Sequence, residues 1–198
     1  MGYYYLVAQL PYLLYGQQPP MSSEAFKELC SRWLSKADAA ILDQVSLDPL
    51  PRLLTEEEGD VSYAEKAPSS GCRFIDKWRE WERTLRLDLA KRRSVKLGWE
   101  QSAAEISLLD DIVTAAQKAL ETAESPLEAE TILDKARWHA IEELQGMDYF
   151  SRNTIFAYML KLLILERHTS FQVETGFSEY KSLYASIMEK GTSVGDIK

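Results

Sequence analysis

Apolar positions recur along much of this chain with the period of a helix. Between residues 73 and 96, Phe74, Trp78, Trp81, Leu85 and Leu89 follow one another at steps of four, three, four and four. That spacing lays them along one helix face. Ser102 with Glu105 three residues on reads as a capping box, and Ile106, Leu109, Ile112, Val113, Ala116 and Leu120 continue the periodicity behind it. Ser125-Pro126-Leu127-Glu128 is a second capping box with Pro at the first helical position. Its helix should run to Gln145 and stop at Gly146, a left-handed cap. Ser151 is placed to cap a helix running to about His168. In it Ile155, Phe156, Tyr158, Met159, Leu160, Leu162, Leu163, Ile164 and Leu165 occupy nearly every face, the pattern of a buried helix. A last helix is expected over 178–190, ended by Gly191, with 191–198 as a loose tail.

The first half follows the same grammar less strictly. Ser22 or Ser23 starts a helix carrying Phe26, Leu29, Cys30, Trp33 and Leu34, and Ser35 starts a short one with Asp38 at its third position. Residues 46–72, with Pro and Gly punctuation and the run Glu56-Glu57-Glu58, read as a long acidic connection that faces a partner. The opening YYYLVAQL fits either a short strand, which its tyrosines favour, or a helix. No strand–helix alternation appears. The expected fold is all-α, an irregular helical bundle forming a single domain over 1–190.

Composition is that of a globular protein: 198 residues, 45% hydrophobic, 27% charged, net charge -8. The charge is unevenly placed. Arg73 to Lys96 holds nine bases and four acids, a net of +5, so the remainder of the chain carries -13. Burying each apolar side chain of the stripe contributes roughly 1.5–3 kcal/mol, against about 0–1 kcal/mol for an exposed ion pair. The stripe therefore fixes this helix and the charges follow on its outer faces, where Glu82 and Arg86 can pair across one turn. The acidic balance argues against a general nucleic-acid binder. The longest apolar run, 157–165, contains Lys161 and is too short to span a bilayer. The start lacks the basic region and cleavage site of a signal peptide, and Leu6 stands where a myristoylation motif needs Ser or Thr.

The chemistry-bearing residues form no constellation. Cys30 and Cys72 have no metal-ligand or CxxC spacing and read as reduced thiols. His139 and His168 follow Ala136 and Leu165 at the offset where a di-iron bundle needs Glu, and His139 reads as a core or boundary neighbour of Trp138. Asp110 and Asp111 point to different faces of one helix. No phosphate loop, GxSxG or HExxH occurs. No catalytic residue, cofactor or metal is expected, and the chain reads as a non-enzyme.

Two stretches look alike once placed on helices. WREWERTLRLDLAKRR carries Glu82-Arg83 and FAYMLKLLILERHTSF carries Glu166-Arg167; each follows a helix with a Trp (Trp33, Trp138) and precedes a Gly (Gly98, Gly176). They suggest a weak repeat over about 1–98 and 99–190. With YYYLVAQLPYL, SSEAFKELC, WERTLRLDLAKRRSVKLG and LDKARWHAIEEL…FSRNTIFAYMLKLLILER, the chain resembles the central-stalk socket subunit of V/A-type ATPases. More closely it resembles a shorter bacterial family of unknown function found with those ATPases. Longer relatives hold three repeats where this chain would hold two, and its helices carry Arg83 and Arg86 with no Asn before Asn153.

The resemblance implies a non-catalytic coupling part between the membrane rotor ring and the central shaft, cytoplasmic and peripheral to the membrane, with those subunits as partners and neither nucleic acid nor membrane insertion. The interface candidates are Arg79, Arg83, Arg86, Arg92 and Arg93 on the basic helix, Tyr3 and Tyr4 at the start, and Glu56, Glu57 and Glu58 in the acidic connection. The competing readings are a helical adaptor that binds an acidic protein through the basic helix 73–96, and an enzyme or small-molecule binder with a pocket between helices.

Overall fold

The computed structural model describes residues 3–48, 69–98 and 110–171. By its contacts the chain divides into two compact units, Met1–Glu166 and Arg167–Lys198. The described residues form seven helices and no strand. They are α1 (Tyr4–Gln9), α2 (Ser23–Ser31), α3 (Lys36–Asp43), α4 (Arg73–Lys96), α5 (Asp110–Glu121), α6 (Pro126–Gln145) and α7 (Arg152–Ser170). The fold is all-α. Tyr4 and Tyr5 lie in a helix with Tyr3 at its N-cap: the Leu6 side chain is buried and Tyr3 N–H donates to the Phe150 carbonyl at 2.8 Å, so tertiary packing overrides strand propensity.

Local chemistry sets the helix ends. Ser22 caps α2 by accepting from Ala25 N–H, and Ser35 caps α3 by accepting from Asp38 N–H, both at 3.1 Å. Ser125 caps α6 by accepting from Glu128 N–H at 3.2 Å. The return bond of this box goes one residue further back than the motif requires, from Glu124 N–H to the Glu128 carboxylate at 2.8 Å. α4 begins without a side-chain cap at Cys72; instead Asp76 accepts from Ser70 N–H at 2.7 Å and from the Ser69 and Ser70 hydroxyls, tying the entering loop to the first turn. Its end carries Arg93 and Lys96 against the carbonyl pole. Gly98 follows at φ 71° and Gly146 follows α6 at φ 69°, conformations that cost a side-chain-bearing residue. The Ser151 hydroxyl, expected to cap α7, donates to the Asp148 carbonyl at 3.3 Å.

The stripe on α4 faces inward: Phe74, Trp78, Trp81, Leu85 and Leu89 are all buried. Trp78 and Trp81 stack with centroids 5.7 Å apart, and each indole N–H finds an acceptor, Ser46 carbonyl at 3.2 Å and Asp111 carboxylate at 3.0 Å. Asp111, expected on a solvated surface, is exposed and also serves as this acceptor. α4, α5 and α6 pack on one another. α7 is buried nearly all round, as its composition predicts. It meets the amino-terminal segment where Tyr158 donates to the Pro11 carbonyl at 3.0 Å, and meets α2 where Phe26 stacks on Tyr158 at 4.9 Å. Glu166 near its end accepts from Ser23 N–H at 2.6 Å. The first part, 102–109, of the helix expected from Ser102, the helix expected over 178–190, the loose tail and residues 49–68 of the acidic connection expected over 46–72 lie outside the described residues.

Candidate interaction surface

The cations of α4 turn mostly to the protein itself. Arg79 is buried and donates to the Gln44 carbonyl at 3.3 Å. Arg83 pairs with Glu80 at 2.7 Å, and that hydrogen bond raises its pKa. Arg86 pairs with Glu82 at 2.9 Å and with Asp48 at 2.8 Å, and Arg92 pairs with the buried Asp88 at 2.6 Å. Arg93 is exposed.

Behind these pairs lies an ionic network that no short motif announces. The Glu82 side chain is fully buried and receives Arg137 Nε at 2.9 Å and Arg137 Nη2 at 3.0 Å, the forked geometry in which guanidinium and carboxylate match. Arg137 Nη1 reaches Asp134, also fully buried, at 2.9 Å, and Glu130 at 3.7 Å. Burial opposes the Arg137 charge, and Glu82 and Glu130 together more than offset this, so its pKa rises. The network pins α4 against α6 at one register.

The amino-terminal tyrosines behave differently. Tyr3 is partly buried and donates its hydroxyl to Asp38, which also accepts from the Ser35 hydroxyl at 2.9 Å and pairs with Arg152 at 3.4 Å. Burial would raise the Asp38 pKa, yet the hydrogen bonds from Tyr3, Ser35 and Arg152 hold it below its ordinary value. Tyr4 is 60% exposed and stacks on Phe150 at 4.7 Å. Tyr5 is 77% exposed and stacks on the exposed Trp33 at 6.3 Å. Met147 and Tyr149, in the α6–α7 turn that carries Phe150, are exposed as well. Beside them Tyr12, 85% exposed, borders an open cleft of about 530 Å³ whose other walls include Leu10, Pro11, Tyr149 and Tyr158. The result is a broad aromatic face outside the core.

One signal in the sequence points to this face: no charged side chain precedes Glu24, in a chain that is 27% charged. A surface segment without charges, studded with Tyr, has the composition of an interface core. Reading each tyrosine for its strand propensity passes over the missing charges.

The comparisons with known proteins add one relation to this geometry. Residues 103–192 match a family described as a protein of unknown function (DUF2764). No curated protein and no solved structure matches the chain. The matched stretch takes in α5, α6 and α7; it leaves out α4 and the uncharged amino-terminal segment.

The remaining sequence candidates are scattered. Glu56, Glu57 and Glu58 lie outside the described residues. Trp138 is buried, with its N–H on Glu142 at 3.0 Å, whereas His139 beside it is exposed and 3.3 Å from Glu143. Cys30 and Cys72 are both buried, and burial pushes the Cys30 thiol up to about 12. Among the described residues no group of three His, Cys, Asp or Glu side chains is placed to hold a metal, and no helix is long and apolar enough to cross a membrane.

Proposed function

We propose that this chain is a non-catalytic coupling part of a V/A-type ATPase, peripheral to the cytoplasmic face of the membrane, joining the rotor ring to the central shaft. The aromatic face built by α1, Trp33, Tyr12 and the α6–α7 turn is its docking surface. The observation that carries the reading is this face: an uncharged run of sequence that buries Leu6 and Leu13 in the helical body and leaves Tyr4, Tyr5 and Tyr12 exposed, with the exposed Tyr149 of the α6–α7 turn beside Tyr12 at the same cleft. A tyrosine or tryptophan brings roughly 150–250 Å² of contact area at low entropic cost, so a few such side chains suffice for a firm mechanical contact. The resemblance of the helices to the socket subunit supplies the choice of assembly.

The rival reading, an adaptor using the basic helix, is weakened because Arg79, Arg83, Arg86 and Arg92 are engaged within the chain. Co-purification of the full chain with the ring and shaft subunits of one V/A-type ATPase tests the proposal. The expected result is a complex that persists at about 0.3 M salt, because the contact is apolar; absence of a complex at low salt overturns it.

A further inference from the structure

Beside the exposed Tyr4 and Tyr5, Tyr3 is partly buried and bonded on every side. Its N–H donates to the Phe150 carbonyl in the α6–α7 turn at 2.8 Å, and its carbonyl accepts from Val7 N–H at 2.9 Å, closing the first turn of α1. Its hydroxyl donates to the Asp38 carboxylate on α3 and accepts from the N–H of Ser35, the cap of that helix, at 3.4 Å. Asp38 is fixed in turn by the Ser35 hydroxyl at 2.9 Å and by Arg152, the first residue of α7, at 3.4 Å. Burial, and then the bond to Asp38, raise the Tyr3 pKa, which keeps its hydroxyl a donor.

Each element joined at Tyr3 carries one part of the aromatic face. Tyr4 and Tyr5 are on α1, Trp33 lies two residues before Ser35, and Phe150 lies two before Arg152. The ring pairs bridge the joints, Tyr4 on Phe150 at 4.7 Å and Tyr5 on Trp33 at 6.3 Å. Little else sets the angle of α1. It has six residues and no side-chain cap, about half the length at which a helix begins to stand alone. Its one buried side chain is Leu6. Apolar contact is non-directional and sets only how deep α1 sits, whereas the hydrogen bonds of Tyr3 are directional. We infer that Tyr3 is the positioning residue of the aromatic face, a latch joining α1, α3 and the α6–α7 turn that holds the exposed rings in one arrangement, and not a residue that a partner touches. When the latch opens, α1 leaves its place locally while α4, α5 and α6 stay folded, and a partner meets the assembled face only in the latched fraction. This role rests on the aromatic face being the docking surface. The latch itself is measured without any partner, so its failure is distinct from the absence of a complex with ring and shaft subunits.

Amide hydrogen exchange of the full chain, resolved by residue and repeated in urea below the unfolding transition, tests the latch. The Tyr3 and Val7 amides should exchange through a local opening whose rate barely changes with urea, whereas buried α7 amides such as those of Leu160 and Leu162 should follow the urea-dependent global route. Tyr3→Phe deletes only the hydroxyl and should speed the urea-insensitive exchange at Val7 by at least about tenfold, as expected for losing a bond to a charged acceptor. Asp38→Ala should speed it by at least as much, and the double variant should exceed Asp38→Ala by less than about threefold, because the two side chains act as one unit. A residue that merely stabilises the whole body would act through the urea-dependent route alone. Unchanged Val7 exchange in Tyr3→Phe would overturn the proposal. So would Val7 exchange that climbs with urea as steeply as that of Leu160, since α1 would then move only with the entire body, and so would fully additive effects of the two substitutions.

Discussion

Arg137 shows how one side chain can hold two helices in register. Its guanidinium sits among Glu82, Asp134 and Glu130 with almost no contact with water. Removing it takes the guanidinium from the buried Asp134 and leaves the buried Glu82 to Arg86, and breaking such a group typically costs about 3–5 kcal/mol. Arg137→Leu should therefore lower the unfolding free energy by about that amount in urea titrations; a loss below about 1 kcal/mol would place the network in water. Asp38 gives a pH-dependent counterpart. Its carboxyl is held below the ordinary value of 3.8, so its contribution is complete above that value and disappears as pH falls through the folded-state pKa. Stability should drop below about pH 4, and Asp38→Asn should remove part of that drop. Urea midpoints measured across that range check it. An unchanged acid limb in the variant would assign the loss to other carboxylates, such as Asp76, which its bonds to Ser69 and Ser70 also hold low against the effect of burial.

At the scale of elements, the boundaries and the buried faces were readable because each rests on neighbours in sequence. Ser125 predicts the start of α6 since its partner Glu128 is three residues away. Ser125→Ala should cost about 1 kcal/mol, read from the urea midpoint. The α4 stripe was legible for the same reason, and Trp78→Ala should cost about 3–5 kcal/mol through the cavity it leaves. A change below about 1 kcal/mol would mean that Trp78 does not anchor the core. What stayed hidden depends on contacts between distant residues. The Glu82–Arg137 pair spans 55 positions, and the helical state of α1 depends on packing near Phe150. The basic character of α4 looked like a docking surface in one dimension; in three dimensions Asp48, Asp88 and Gln44 take up much of it.

For the whole molecule, charge divides the surface. A chain of net -8 keeps its amino-terminal 23 residues free of charged side chains and places aromatic rings from that stretch outside the core. A water-facing segment has no folding reason to avoid charge, so the composition fits a surface that is later desolvated by a partner. Of the two tyrosines that the sequence singles out, Tyr4 lies on this exposed face, whereas Tyr3 is partly buried with its hydroxyl on Asp38. Phe150 and Tyr149 join Tyr4 only when the turn after α6 is folded against α1, and Trp33 joins through its stacking on Tyr5.

The most direct test is a binding titration of the full chain with the purified ring and shaft subunits, comparing two charge insertions. Tyr5→Glu with Tyr149→Glu puts charge on the aromatic face, and Arg92→Glu with Arg93→Glu reverses charge on the basic helix. Docking through the aromatic face predicts that the first pair weakens binding by at least about a hundredfold, near 2.7 kcal/mol, and that the second changes it by less than about threefold. Loss of binding in the second pair with the first unaffected would contradict it.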